Sequence, residues 1–358
     1  MSKKILIAPL NWGLGHASRS MPIIDALLSE GHEVILASDG AAKRFLEIEY
    51  PALLVEELPS YKITYPKSGL FLFHMMKRIP YIWGAIKSEK KVLDSLVEKH
   101  NLDIVISDNR YGMYCSKVRT IMITHQIKVA LPLGEWLISQ YIQKRLKYFS
   151  EVWVPDVAGE NNLSGKLSHG KNTQKSIQYI GALSRLSARL EEQQILDFPF
   201  KDDFILIIVS GPEPQRTMFE NQLVTEAKNE SQNYVVVGGN PLANETQTWG
   251  NVYLTPFVNA SCLKWLMKNS IGVISRSGYS TVMDLIAMKK VAVLIPTPGQ
   301  TEQEYLATYL QKNKVFLCKN QGAFNLCKAS QELSEIEWSP ELETMFSPDK
   351  LSTVIKSL

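Results

Sequence analysis

The chain has 358 residues, 45% of them hydrophobic and 21% charged, with a formal net charge of +3. At about 100–200 residues per domain, that length makes two domains, each able to bury a core of its own. The balance of apolar and charged residues excludes disordered, collagen-like and coiled-coil chains, and so small a net charge excludes a protein held to nucleic acid by neutralising many phosphates.

Cys115, Cys262, Cys318 and Cys327 form no CxxC pair, which fits reduced cytosolic thiols rather than a disulfide scaffold or a zinc site. The apolar stretch after Lys3 and Lys4 is too short for a signal peptide and ends in Gly and His, so a cytoplasmic protein is expected. The most apolar long segment, from Leu70, is broken by His74, Lys77, Arg78 and Pro80. It falls short of the ~18 uninterrupted apolar residues that a spanning helix needs.

In chain order, the run KKILIAPL is a short apolar burst ending in turn residues. A Gly-rich loop follows, and then SRSMPIIDALLSEG, whose apolar positions recur at helical spacing and stop at Gly31. Further bursts come at EVILASD, LDIVISD (Leu102 to Asp108), RTIMITH (Arg119 to His125) and EVWVPD (Glu151 to Asp156). Strands alternating with helical stretches predict parallel βαβ units in a doubly wound sheet. The pattern restarts at FILIIVSGPEPQR, followed by the helical TMFENQLVTEAK and by strands at YVVVGG, NVYLTP, IGVISR, VAVLIP and KVFLC. The expected organisation is an α/β protein of two Rossmann-like doubly wound parallel-sheet domains: residues 1–183, a charged and Gln-rich connection at 184–200, a second domain at 201–337, and a tail at 338–358. Residues 1–180 carry a net charge of +6 and the remainder −3, so the first half is the basic one.

Two such domains facing across a cleft bind ligands at the carboxyl ends of their strands, which directs attention to the post-strand loops. The first runs from Asn11 to Ser20. Gly13 and Gly15 let the backbone turn tightly and approach a ligand, and the amides at the helix start favour an anion, with Ser18 and Arg19 following. The third glycine of a dinucleotide fingerprint is missing. His16 in this loop suits a general base acting on a hydroxyl or on water, against a helix-capping or core histidine. Asp108, at the end of a strand of the same sheet, would orient it, or would cap the following helix.

The second half carries a denser set: Arg276, Ser277, Gly278, Ser280, Thr281 and Asp284, then VAVLIPTPGQTEQEYLA. Gly278 would permit a tight turn, and Ser280 and Thr281 would cap the next helix beside a diphosphate. Asp284 could accept from ribose hydroxyls. Gln300, Glu302, Gln303 and Glu304 arrive at the same edge and could hold sugar hydroxyls. In Ser210–Gly211–Pro212–Glu213–Pro214–Gln215–Arg216 each proline removes an amide donor, and Arg216 could pair with phosphate instead, or simply sit on the surface at a helix start.

The segment SIGVISRSGYSTVMDLIAMKKVAVLIPTPGQTEQEYLA resembles the donor-binding signature of the MurG-like glycosyltransferases, of the family 28 carboxyl-terminal-domain type. GLGHASR resembles that group's amino-terminal Gly-x-Gly-His loop. The resemblance implies a GT-B fold and an inverting, metal-independent reaction, with no cofactor beyond a nucleotide diphosphate sugar, UDP-linked, as substrate. Asp284 then takes the place of the family's ribose-binding glutamate, Gln303 and Glu304 that of its paired sugar-contacting glutamines, and His16 that of its loop histidine. Glu304 and Ala307 depart from the family's Gln and Asn. The absence of Asp-x-Asp argues against a metal-held diphosphate.

Residues 61–91 mix aromatic, Met and basic side chains and could touch anionic lipid or a greasy acceptor, against an ordinary helix with a basic outer face. Arg110 and Tyr111 could face an acceptor. The tail from Trp338 is expected to pack back on the first domain as a helix. The expected function is transfer of a hexose or N-acetylhexosamine from UDP to a glycan or lipid-linked hydroxyl of the cell envelope. The alternatives are a nucleotide-sugar hydrolase of the same fold, whose Gly-His-x-x-Arg loop (Gly15, His16, Ser18, Arg19) would let His16 activate water, an epimerase, or a non-catalytic binding module.

Overall fold

The computed structural model describes residues 2–62, 71–128, 135–169, 177–186, 190–345 and 348–358. The chain divides into two compact units, the first made of Met1–Ile63, Met75–Arg185 and Thr344–Leu358, the second of Thr64–His74 and Leu186–Glu343.

The first unit is built on seven strands: β1 (Lys4–Pro9), β2 (Glu33–Ser38), β3 (Val55–Glu57), β4 (Ile104–Asp108), β5 (Arg119–Ile123), β6 (Glu151–Val154) and β7 (Ile177–Tyr179). They lie in the order β3-β2-β1-β4-β5-β6-β7, all parallel. Their near-continuous Ile, Leu and Val runs follow from burial on both faces, since crossover helices cover a parallel sheet on each side. Those helices are α1 (Gly15–Ser29), α2 (Gly40–Glu49), α3 (Phe71–His100) and α4 (Glu135–Leu146). Chain order reverses between β1 and β4, where Pro9 and Asp108 pair in register, and such a switch point opens a crevice at the strands' carboxyl ends.

The second unit repeats the plan with β8 (Phe204–Ile208), β9 (Asn233–Val237), β10 (Gln247–Trp249), β11 (Val252–Thr255), β12 (Val273–Ser275), β13 (Ala292–Leu294) and β14 (Leu317–Cys318), ordered β10-β11-β9-β8-β12-β13-β14. Only β10 runs antiparallel, in a hairpin with β11 turned at Gly250, where φ is +53°. The helices are α5 (Gln215–Ala227), α6 (Ala260–Asn269), α7 (Tyr279–Ala287), α8 (Thr301–Lys312) and α9 (Leu326–Glu335). The switch point lies between β8 and β12, with Ile208 opposite Ser275.

The sequence pattern anticipates eleven of these strands and misses β3, β7 and β10, three-residue elements with little apolar run of their own. The segment expected as a bare connection is seated on the second unit from Leu190 onward. Phe198 packs edge-on against Phe204, Tyr253 and Trp265, and the Leu190 carbonyl accepts from Lys264 Nζ at 2.6 Å. The tail's final helix, α10 (Pro348–Lys356), packs on α1, burying Leu351 and Ile355.

Candidate active site

In the first unit, Gly13 turns the chain after β1 with φ +67°, in the left-handed region glycine favours, and α1 starts two residues later. His16 and Arg19, three apart, therefore share a face of the first turns. That face meets the end of β4. His16 Nδ1 lies 2.8 Å from Asp108 Oδ1, and Arg19 grips both oxygens of the same carboxylate, with Nε 2.6 Å from Oδ2. Asp108 is fully buried and Arg19 2% exposed, whereas the His16 side chain keeps 12% of its surface. Burial by itself pushes the Asp108 carboxyl up, but Arg19 and His16 together bring it down to about 2. For His16 the largest influence is burial, which disfavours the imidazolium. Asp108 opposes this, Arg19 and His125 add to it, and the net lies below 6.5.

Sequence reasoning missed His125. It follows β5 as Asp108 ends β4, is 3% exposed, and offers Nδ1 to Arg19 Nη1 at 2.8 Å. Applying the strand-end rule to RTIMITH would have found it. Several expectations need correction. Arg19 does not face an anion, because its guanidinium is committed to Asp108 and His125, and the Ser18 hydroxyl folds back on the Gly15 carbonyl at 3.1 Å. Arg110 does not face an acceptor either. It is fully buried, donating to Asp39, Glu89 and the Pro9 carbonyl, which braces the loop after Asp108. Tyr111 is half-buried beside Leu10 and Met122, and its hydroxyl bonds Thr124.

In the second unit, α7 begins at Tyr279 with Gly278 as its N-cap, a residue with no side chain to cap the helix. Ser280 and Thr281 lie inside the helix, past the N-cap position that Gly278 holds. Gly278 has φ −71°, which any residue adopts, and a Cβ there would approach only Thr281 Oγ1, at 3.9 Å. Its smallness leaves open space in front of the helix amides rather than making a turn possible. Ser277 Oγ donates to the Gln303 carbonyl at 2.9 Å, tying this loop to α8. Asp284, one turn on, is 4% exposed. Gln303 Oε1 accepts from Thr297 N at 2.9 Å and Glu304 Oε1 from Gly299 N at 2.7 Å, so both side chains brace the loop after β13. Glu304 also lines a groove of about 610 Å³ with Pro296, Thr308, Gln311 and Lys319.

Arg276 is fully buried. It lies over the Phe219 ring, 3.7 Å from the centroid, with Nη1 donating to Gln321 Oε1 at 2.8 Å, while Nε and Nη2 are buried with no partner among the described residues. Burial pushes this guanidinium down to about 9, still charged at neutral pH. Gly211 has φ +111°, and the loop after β8 leads into α5. Arg216 there does not present itself to phosphate: Nε bonds Glu213 at 2.7 Å, and Nη1 bonds Glu220 at 2.9 Å and the Gly238 carbonyl at 3.0 Å.

The description "Glycosyltransferase family 28 C-terminal domain" matches residues 206–350. Over 326 residues the chain is 23% identical to an uncharacterized glycosyltransferase of Methanosarcina mazei, covering 86% of this chain and 83% of that one. A second relative, from Methanosarcina acetivorans, is also 23% identical, over 334 residues with the same coverage. Among solved structures, the calicheamicin glycosyltransferase CalG4 superposes with a TM-score of 0.64 at 12% identity over 99% of this chain and 98% of its own. MurG of Acinetobacter baumannii gives 0.56 at 12% identity over 99% and 98%. The spinosyn rhamnosyltransferase SpnG, complexed with thymidine diphosphate, gives 0.57 at 13% over 99% of both. The fold is the one shared with these glycosyltransferase structures, the GT-B fold, and residues 206–350 are similar to the family 28 carboxyl-terminal domain.

Proposed function

We propose that the protein is an inverting, metal-independent glycosyltransferase that moves a hexose or N-acetylhexosamine from UDP to a hydroxyl of a glycan or lipid-linked acceptor in the cell envelope. The observation that carries the donor assignment is the charge of Arg276, whose buried Nε and Nη2 have no partner among the described residues, in the loop that leads into α7 at Gly278. Buried donors without partners cost roughly 1–3 kcal/mol each, more when charged, and an anion brought to this loop would relieve part of that cost. On the resemblance to the family signature, Asp284 would hold the ribose, and Gln303 and Glu304, which also brace the loop after β13, the sugar.

In the first unit, His16 Nε2 would take the proton of the acceptor hydroxyl as its oxygen attacks the anomeric carbon opposite the diphosphate. The carbon–oxygen bond to the diphosphate breaks, and its electron pair leaves with the phosphate, toward donors whose alignment precedes the reaction. No metal or cofactor takes part in this scheme.

For a lipid-linked acceptor, the support is an aromatic and basic surface on α3 and α4. Tyr81 is 62% exposed, Trp83 60% and Trp136 70%, with Trp83 stacked on Tyr141 at 6.2 Å and Lys87, Lys144 and Lys147 exposed nearby in the sequence. Trp and Tyr favour membrane interfaces, where cationic neighbours meet anionic headgroups. Part of the 61–91 stretch, residues 63–70, lies outside the described residues, and among the described residues no helix is long and apolar enough to cross a membrane.

The test is calorimetric titration with UDP, GDP and dTDP on the wild type and Asp284→Ala. Selective UDP binding that collapses in the variant supports the donor site, and dTDP binding alone would redirect it to the nucleotide seen with SpnG. Binding of none refutes the assignment, and sugar release without acceptor would favour the hydrolase.

A further inference from the structure

Three segments of the first unit meet around one guanidinium. From α1, Arg19 sends Nε and Nη2 to the two oxygens of Asp108 at the end of β4, and Nη1 to His125 Nδ1 after β5. Nη2 also stands 2.9 Å from His16 Nδ1, which is itself 2.8 Å from Asp108 Oδ1. His16 Nδ1 cannot both donate to Asp108 and accept from Arg19. A carboxylate accepts more strongly than an imidazole nitrogen, and Nη2 already directs a hydrogen to the same oxygen, so the proton belongs on Nδ1 and the lone pair on Nε2. His125 accepts at Nδ1 from a guanidinium, which can only donate, so its own proton lies on Nε2.

This differs from a simple His–Asp pair. There an uncompensated carboxylate favours the imidazolium and raises its basicity. Here Asp108 is already neutralised by Arg19, and of the other groups facing the imidazole, His125 accepts from Arg19 at Nδ1 and Tyr111 is kept protonated by burial.

We propose that Arg19, held in place by His125, is a positioning residue that neutralises Asp108, the acceptor of the His16 Nδ1 proton, and so keeps the ring uncharged, leaving Nε2 a base that works in mildly acid as well as neutral medium. When a hydroxyl attacks, its proton goes to Nε2 and Asp108 then faces the imidazolium, while the bond pair leaves with the diphosphate. The chemistry rests on the transferase proposal, but the protonation state does not.

The test is NMR titration of histidine-labelled protein, with His16→Gln used only to assign the His16 signals. The wild type should show the Nδ1–H tautomer and a midpoint below 6.5. Arg19→Gln keeps an N–H donor but removes the charge, and should raise the His16 midpoint by about one unit or more, with the acid limb of kcat/KM for donor consumption moving with it. His125→Gln, which still offers an acceptor to Nη1, should leave the midpoint in place, whereas His125→Leu should raise it. An Nε2–H tautomer or a midpoint above 6.5 in the wild type, or an unmoved midpoint in Arg19→Gln, overturns the proposal. Should Arg19→Gln not fold, the wild-type tautomer and His125→Leu decide the matter. Absent transferase activity with the NMR results intact would count against the proposed function alone.

Discussion

Replacing Asp108 by Asn tests whether the buried ion pair at the first switch point is a major source of stability. Arg19 and His16 hold the native carboxyl at about 2 against an ordinary 3.8, a difference worth roughly 2 kcal/mol. Because the folded value is the lower one, this stabilisation is complete above 3.8 and is lost as pH falls toward 2. Asp108→Asn goes further at neutral pH. It removes the charge facing Arg19, which is 2% exposed, and turns an amide donor toward either Arg19 or His16. Breaking one side of a buried pair costs about 3–5 kcal/mol. Urea denaturation of both proteins across the acid range should show a wild-type advantage of that size at neutral pH, shrinking by about 2 kcal/mol as the carboxyl protonates. Other carboxylates titrate in both proteins and cancel in the difference. A gap that stays constant across that window, or a variant as stable as the wild type at neutral pH, would refute this account.

Arg276→Met should leave folding stability within about 1 kcal/mol of wild type or raise it, since it removes a buried charge with two unpaired donors while keeping contact with Phe219. UDP affinity, read by calorimetry, should fall by about tenfold or more, the loss of a charged hydrogen bond; a large loss of stability with unchanged affinity would contradict it. Gly112→Ala should destabilise by about 1–3 kcal/mol, because a Cβ would collide with the Ile86 carbonyl and stand 2.6 Å from Glu89 Oε2, the acceptor of the Gly112 amide. Thermal denaturation checks it. Tyr81→Ser with Trp83→Ser should weaken sedimentation with anionic vesicles without changing UDP binding. Equal sedimentation of variant and wild type would remove the support for a membrane-bound acceptor.

The sequence made the α/β plan legible wherever a strand was long and buried on both faces, as in LDIVISD and FILIIVS, and obscured it in three-residue edge strands such as Val55–Glu57. His16 and Asp108 were legible as a pair because both follow strand ends of one sheet. Their partners were not. Arg19 has the look of an anion-binding residue in a Gly-rich loop, and only its position over the β4 terminus shows it turned inward. Arg216 misleads in the same way, since Glu213 and Glu220 lie three and four residues from it, a helical spacing that already announces an internal pair.

The two buried arginines at the switch points make an instructive contrast. Arg19 and Arg276 are each sealed from solvent at the carboxyl edge of a parallel sheet, and a buried guanidinium needs a counter-charge. Arg19 has one within the protein, Asp108, so its site is electrically closed and serves the imidazole beside it. Arg276 has two main-chain carbonyls, the Gln321 amide oxygen and the Phe219 ring for company, none of them an anion. An arrangement of that kind leaves the second unit short of one negative group, and the α7 amides beside it favour the same sign of charge. If a diphosphate is the missing anion, Arg276→Met should cost nucleotide affinity while Arg19→Gln should not, although both remove one buried positive charge. Equal losses in the two variants would show that fold damage, rather than the placement of charge, governs binding.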